Sequence, residues 1–254
     1  MPSSPFAPLD RALAPAPGDA RTAFLKTQPF AHRGLHGAGR IENSRAAFDA
    51  AIAAGHGIEL DVQASRDGEA FVFHDAMLDR LTDESGPITD RTAAMLDRVR
   101  LRGTDEPIPS LHAALVQVLG RVPVLIEVKS AGRSVAALCL AVHRALEGYR
   151  GPVAVMSFNP EIGHWFAEHS PRTLRGLVVS EEGKQGKRGA AERRLSLWRS
   201  KAEFLAYDIR DLPSRFAAEQ RARGLPVVTW TVRDAAAEQV ALIHADEIIY
   251  ERTA

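Results

Sequence analysis

Five side chains in this sequence have the types and spacing to do chemistry together: Glu59, Asp61, Glu127, His32 and His74. Glu59 and Asp61 stand two apart in the run 57–63, which reads as a strand, so their side chains share one face with Cα atoms about 7 Å apart. On the inner face of a strand an unpaired carboxylate is costly, and a bound cation is the natural compensation. Taken alone, the pair is explained equally well by ion pairing with a nearby Arg or Lys. Glu127 lies on the next long strand with Lys129 on its own face, and this third carboxylate turns the reading towards a metal. All-oxygen ligation suits a hard divalent cation, Mg²⁺ or Ca²⁺ with Mn²⁺ also admitted, rather than zinc, which prefers His or Cys. Three carboxylates against a divalent ion leave one negative charge. Arg33 and Lys129 are placed to offset it and to grip an anionic substrate, Arg through two oxygens at once and Lys as a mobile point charge.

His32 precedes Arg33-Gly34 and His74 precedes Asp75, each at a predicted strand end. A single strand-end histidine is usually structural. Two of them, flanking a cation site and two basic groups, meet the needs of phosphodiester cleavage, in which one takes a proton from the attacking oxygen and the other supplies one to the leaving alkoxide. An imidazole titrating near neutrality serves either role. Which histidine is acid stays open, as does the nucleophile, water or a neighbouring substrate hydroxyl. Asp75 either orients a ring or caps the following turn, the cap being the expected role. Glu42, ahead of a helix that starts at Asn43 or Ser44, is a candidate to bond an arginine or a metal-bound water. Asn43 or Ser44 reads as the cap of that helix. Gly34 fits either a turn or a close backbone approach to a bound group. Phe158 and Trp230, also at predicted strand ends, are candidates to pack on the carbon face of a small polyol or choline group.

These positions need a frame that brings strand ends together. Apolar strand-like runs at 28–32, 57–63, 122–128, 153–157, 173–179, 204–207, 227–231 and 247–250 alternate with amphipathic stretches at 44–54, 110–119, 134–146, 160–168, 192–201, 213–223 and 235–242. A further extended segment at 70–73 and a helical pattern at 92–99 fall between the second and third strands, and 183–189 reads as flexible and basic. Eight strands with intervening helices predict an α/β fold, a (β/α)8 TIM barrel in which reactive groups gather where strands end. The rival, an open doubly wound sheet, finds neither a Gly-rich dinucleotide fingerprint nor a phosphate-cradling Gly-Lys-Ser/Thr element. Residues 1–27 carry proline turns and weak periodicity and are expected to form an N-terminal arm across the bottom of a single catalytic domain, 28–254.

Composition excludes several classes. The 254 residues are 45% hydrophobic and 25% charged, the balance of a globular protein with a continuous core. Lys plus Arg equals Asp plus Glu at 32 each, so bulk charge draws the chain neither to nucleic acid nor to an anionic membrane. No apolar run approaches the roughly 18 residues of a spanning helix, and no leader pattern precedes residue 28, so a cytoplasmic location is expected. Cys139, the only cysteine, lies in a helical apolar pattern and reads as core. The basic segment Lys184, Lys187, Arg188, Arg193 and Arg194 reads as a solvated outer helix, its rival use being weak contact with lipid headgroups at a membrane surface.

In order and spacing the chain resembles the glycerophosphodiester phosphodiesterases. The likeness runs through His32-Arg33-Gly34, Glu42-Asn43-Ser44, Ile58-Glu59-Leu60-Asp61-Val62, Arg66-Asp67-Gly68, Phe73-His74-Asp75, Ile108-Pro109-Ser110-Leu111, Ile126-Glu127-Val128-Lys129, Ser157-Phe158 and Thr229-Trp230-Thr231-Val232. It covers about residues 29 to 249. The resemblance implies a (β/α)8 barrel, hydrolysis of glycerophosphodiesters to glycerol 3-phosphate and an alcohol, metal ligation at Glu59, Asp61 and Glu127, and His32 and His74 as the acid–base pair. Two departures touch the rim rather than the chemistry. Ser44 stands where the family often has Thr, and the end of the chain lacks the Gly after Asp246 and the Pro after the last strand that members commonly carry. The rival functions are a lysophospholipase D-like hydrolase using the same site on lysophospholipids, and a phosphodiester-binding protein without catalysis, which the retention of both histidines and all three carboxylates disfavours.

Overall fold

The computed structural model describes residues 5–130 and 132–252, which fall into two compact units, residues 30–153 and residues 5–29 with 154–252. The second unit opens with helices α1 (Ala7–Leu13) and α2 (Asp19–Thr22) and a 3-10 turn at Ala23–Lys26. The prolines of this segment do not keep it irregular, because Pro8 sits in the first turn of α1, where its missing N–H costs no intrahelical bond. Asp10 of α1 is buried and accepts bonds from Arg194 Nη1 (2.6 Å), Trp198 Nε1 (2.8 Å) and Gln220 Nε2 (3.1 Å).

The unit 30–153 holds β1 (Phe30–Ala31), α3 (Arg45–Ala53), β2 (Gly57–Ala64), β3 (Ala70–Val72), α4 (Ala93–Leu96), α5 (Leu111–Val118), β4 (Val124–Val128) and α6 (Ala136–Leu146). β2 pairs in parallel with β1 and β4 and antiparallel with β3. Along β2, Ile58, Leu60 and Val62 alternate with Glu59, Asp61 and Gln63, and both sets are buried. The two-residue period therefore sends the apolar set to one face and the acidic set to the other. Ser44 and Ser110 cap α3 and α5 by accepting from the amides of Ala47 and Ala113, both at 3.1 Å, each cap being worth about 1 kcal/mol. A subsidiary core of Phe71, Phe73, Leu78, Ile88, Leu96, Val99, Leu101 and Ile108 underlies the excursion between β3 and α5 and fixes the segment that carries His74. Cys139 is fully buried in α6, and burial pushes its thiol up to about 12, as suits a core position.

Residues 154–252 continue the repeat with β5 (Val153–Ser157), α7 (Pro160–His169), β6 (Leu174–Val179), α8 (Gly186–Ser200), β7 (Phe204–Asp208), α9 (Arg215–Ala222), β8 (Val227–Val232), α10 (Ala235–His244) and β9 (Glu247–Tyr250), with β5 to β9 pairing in parallel in sequential order. α8 begins inside the segment expected to be flexible. Gly189 lies within α8, and a Cβ there would meet Lys184 O at 1.6 Å, so this glycine serves close approach and not mobility.

Gly34 is held by geometry of the same kind. Its φ is +78°, and a Cβ would lie 2.9 Å from Ala47 Cβ and 3.0 Å from Phe48 Cδ1 of α3. The close approach is thus to a helix, not to a bound group. Gly34→Ala combines left-handed strain with overpacking and is expected to lower unfolding free energy by about 2–4 kcal/mol. Urea unfolding checks this, and a variant within about 0.5 kcal/mol of the parent, the usual surface range, would refute it.

Candidate functional site

β2 and β4 set three carboxylates side by side. Asp61 and Glu127 are partners in the parallel register, so their side chains leave the sheet on the same face, and Glu59 lies one pleat repeat earlier on β2. All three are buried, and one oxygen from each lies within 4.8 Å of the others.

β1 brings the next groups. Ala31 is in register with Ile58, so the chain leaves β1 beside Glu59, with His32 Nε2 4.0 Å from Glu59 Oε2. Arg33 adopts φ +55°, sparsely populated for a side-chain-bearing residue, and its amide donates to Glu59 Oε2 at 3.0 Å. Asn43 is also left-handed, with φ +56°, and is not the cap of α3. Instead its Nδ2 donates to Asp61 Oδ2 at 2.9 Å, and its Oδ1 accepts from the Asp61 amide at 3.3 Å.

Two cations stand against the acids. Arg33 Nε is 3.2 Å from Asp61 Oδ2, and Lys129 Nζ is 2.9 Å from Asp61 Oδ1 and 2.7 Å from Glu127 Oε1. Burial drives Glu59 well above the ordinary carboxylate range, with the charges of Asp61 and Glu127 adding to the effect. Burial also raises Glu127, against the pull of Lys129. At Asp61 burial is outweighed by Lys129 and Arg33, and its pKa falls. Burial opposes the Lys129 charge too, but Asp61 and Glu127 prevail and hold it up at about 12.

β3 positions the second histidine. Val62 is in register with Val72, and the Phe73 amide donates to Asp61 O at 3.0 Å, so His74 emerges next to Asp61. Gln63 Nε2 fastens this corner by donating to the carbonyls of Phe73 (3.3 Å), His74 (3.0 Å) and Asp75. Asp75 Oδ1 is 2.7 Å from His74 Nδ1, so Asp75 orients the ring and is not simply a turn cap. Glu42 Oε1 accepts from Arg33 Nη1 at 2.8 Å, the arginine contact expected of it. Arg80 binds both Glu42 and Asp75.

The sequence reading missed Arg80 and the role of Asn43. Arg80 lies in an irregular segment where no periodicity marks a facing direction. Asn43 carried a usable signal, since an Asn directly after Glu42 readily takes the left-handed conformation that turns it back towards β2. Phe158 and Trp230 pack edge to face with ring centroids 5.6 Å apart; Phe158 follows β5, whereas Trp230 lies inside β8 with its Nε1 donating to Ala206 O at 2.9 Å. The basic segment is largely neutralised by its own neighbours. Arg193 pairs with Glu181, Arg194 with Asp10 and Glu219, and Lys184 with Glu192.

The acid cluster fits a hard cation. The donor set is entirely oxygen, and Asp61 Oδ1 is buried against Lys129 Nζ at 2.9 Å. No helix among the described residues is long and apolar enough to cross a membrane.

Comparison with known proteins agrees with the motif order. A model described as the glycerophosphoryl diester phosphodiesterase family matches residues 32–253. A glycerophosphodiester phosphodiesterase of Bacillus altitudinis is 45% identical over 73 residues, 28% of this chain and only 29% of that relative. Glycerophosphodiester phosphodiesterase 1 of Rattus norvegicus is 26% identical over 241 residues, 82% of this chain and 72% of that protein. Among solved structures, a phosphodiesterase of Oleispira antarctica in complex with the product sn-glycerol-3-phosphate aligns with a TM-score of 0.77 at 24% identity, over 89% of this chain and 93% of the other. The fold is the (β/α)8 TIM barrel expected from the alternation of strands and helices.

Proposed function

This chain belongs to the glycerophosphoryl diester phosphodiesterase family, and from that premise we propose that it hydrolyses glycerophosphodiesters to glycerol 3-phosphate and an alcohol with a divalent cation and two histidines. The observation that carries the reading is the buried trio Glu59, Asp61 and Glu127 with oxygens within 4.8 Å, bordered by Arg33, Lys129, His32 and His74. The product named for the Oleispira antarctica relative supports the same substrate class.

Glu59, Asp61 and Glu127 are the residues that would hold Mg²⁺, Ca²⁺ or Mn²⁺. When bound, the ion supplies positive charge for the non-bridging phosphate oxygens and balances the buried acids. Arg33, locked by Glu42, presents a planar guanidinium that fits two phosphate oxygens. Lys129 offsets negative charge as it builds at phosphorus. Asp75 holds the Nδ1 side of His74 and leaves Nε2 as the nitrogen that exchanges protons with substrate. One histidine takes a proton from the attacking oxygen, that oxygen bonds to phosphorus as the bond to the leaving alcohol breaks, and the other histidine gives a proton to the departing alkoxide. If the attacker is the neighbouring glycerol hydroxyl rather than water, a second attack by water opens the cyclic phosphate to glycerol 3-phosphate. Phe158 and Trp230 form an aromatic pair suited to the carbon face of a polyol or to a choline group.

A substrate panel tests the proposal. Glycerophosphocholine, glycerophosphoethanolamine, lysophosphatidylcholine and a cyclic phosphate are each incubated with Mg²⁺, Ca²⁺, Mn²⁺ or a chelator. Release of glycerol 3-phosphate from the glycerophosphodiesters, abolished by chelation, is expected. Faster turnover of lysophosphatidylcholine would assign the site to lysophospholipids, and tight binding without product would make the chain a binding protein.

A further inference from the structure

Arg80 bridges Glu42 and Asp75, the carboxylates that hold Arg33 and His74. Its guanidinium makes four bonds in one fork. Nη1 and Nη2 donate to Glu42 Oε2 and Oε1 at 2.9 and 2.7 Å, while Nε and Nη2 donate to Asp75 Oδ2 and Oδ1 at 2.6 and 3.0 Å. Each carboxylate then uses a remaining lone pair inward. Glu42 Oε1 accepts from Arg33 Nη1 at 2.8 Å, and Asp75 Oδ1 meets His74 Nδ1 at 2.7 Å. The result is an unbroken chain, Arg33 to Glu42 to Arg80 to Asp75 to His74, in which every link is 3.0 Å or shorter.

We propose that Arg80 is a positioning residue that fixes Asp75, and through it the ring orientation and tautomer of His74, while it fixes Glu42, and through that the guanidinium plane of Arg33. The assignment rests on the phosphodiesterase reading above for the roles of His74 and Arg33, but the hydrogen-bonded chain itself does not.

The physical case is one of geometry and charge together. Without Arg80, two carboxylates would face one another's charge with no shared donor, and each would be free to rotate about its terminal torsion. A rotated Asp75 no longer holds His74 Nδ1, and the ring then samples both tautomers. A rotated Glu42 releases Arg33. A planar, five-donor guanidinium clamps two carboxylates at once, whereas an ammonium supplies a point charge with no fork. Arg80 is half-exposed, with a side-chain exposure of 47%, so it adds little apolar burial, and its contribution lies in these bonds. Partners of this kind, which orient the groups that touch substrate, are typically worth about 10–100-fold in activity.

The test uses Arg80→Ala and Arg80→Lys in the full chain, with and without His74→Ala. Arg80→Ala is expected to lower kcat by about 10–100-fold in the parent, and by a clearly smaller factor in the His74→Ala background, where only the share that passes through Glu42 and Arg33 is left. Arg80→Lys should recover little of the loss, and added guanidinium should restore Arg80→Ala where methylammonium does not. An equal fold-loss in both backgrounds, or full recovery by Lys, would overturn the proposal. A readout independent of turnover is the ¹⁵N NMR signal of the His74 ring. The parent should show Nδ1 protonated and hydrogen-bonded, and Arg80→Ala should show averaged tautomers; an unchanged His74 signal in Arg80→Ala, with thermal unfolding matching the parent, would also refute it. If the parent cleaves no phosphodiester while Arg80→Ala still averages the His74 tautomers, the functional reading fails and the positioning role stands.

Discussion

Alanine at His32 or at His74 is expected to lower kcat on glycerophosphodiesters by about 10²–10⁴-fold, the usual share of a general acid or base in proton transfer. KM should change far less, because in the proposed mechanism the phosphate is gripped mainly by Arg33, Lys129 and the cation rather than by either imidazole. The fold should survive both changes. His32 and His74 are only partly buried, with side-chain exposures of 12% and 31%, and neither belongs to an apolar core cluster. The two variants should separate on an activated substrate. With a leaving group that needs no proton, such as p-nitrophenolate, the variant lacking the acid recovers most of its rate and the variant lacking the base does not. Steady-state kinetics on both substrates therefore assign the two roles. Near-parental kcat for either variant on the natural substrate would remove that residue from the chemistry.

Glu59→Gln carries the second large effect. The change preserves shape and an oxygen to accept the Arg33 amide, but removes one of three charges from the cation site. Mg²⁺ affinity, measured by calorimetric titration, should fall by at least about 100-fold, beyond the loss typical of a supporting partner. Stability should move the other way in chelated protein. Burial holds the folded pKa of Glu59 above its unfolded value, so the folded state binds the extra proton and stability falls as pH rises above the ordinary glutamate range. Gln has no such proton to lose. Chelated Glu59→Gln should therefore match chelated parent near pH 4 and exceed it increasingly above that. Unchanged metal affinity would show that the three carboxylates do not bind the ion together.

The acids on the strands and the groups just past the strand ends, His32, Arg33, His74 and Lys129, were legible in the sequence, whereas most of the contacts made deeper in the loops were not. Glu59, Asp61 and Glu127 lie on strands whose period of two dictates the face each side chain takes, so spacing alone brings them to one side, and Lys129 follows directly on β4. Glu42 and Gly34 were visible as special residues, but their partners were set by the left-handed turns at Arg33 and Asn43, which no periodicity announces. Asp75 and Arg80 depend on the subsidiary core beneath residues 71–108, a long-range packing solution that local pattern does not encode. The same limit applies to α8, where a glycine-rich basic stretch reads as mobile until the contact of Gly189 with Lys184 is seen.

The buried Asp10 bears on where this chain can be cut. The family match begins at residue 32, and a shortened gene starting there would be a natural choice for expression. Such a protein would keep Arg194, of which only a tenth is exposed, Trp198 and Gln220 while losing the carboxylate all three donate to. It would also lose Arg21, whose guanidinium clamps Glu203 at 2.6 and 3.0 Å. The boundary drawn by ancestry and the boundary drawn by folding differ here by some two dozen residues, and soluble yield on truncation should follow the second.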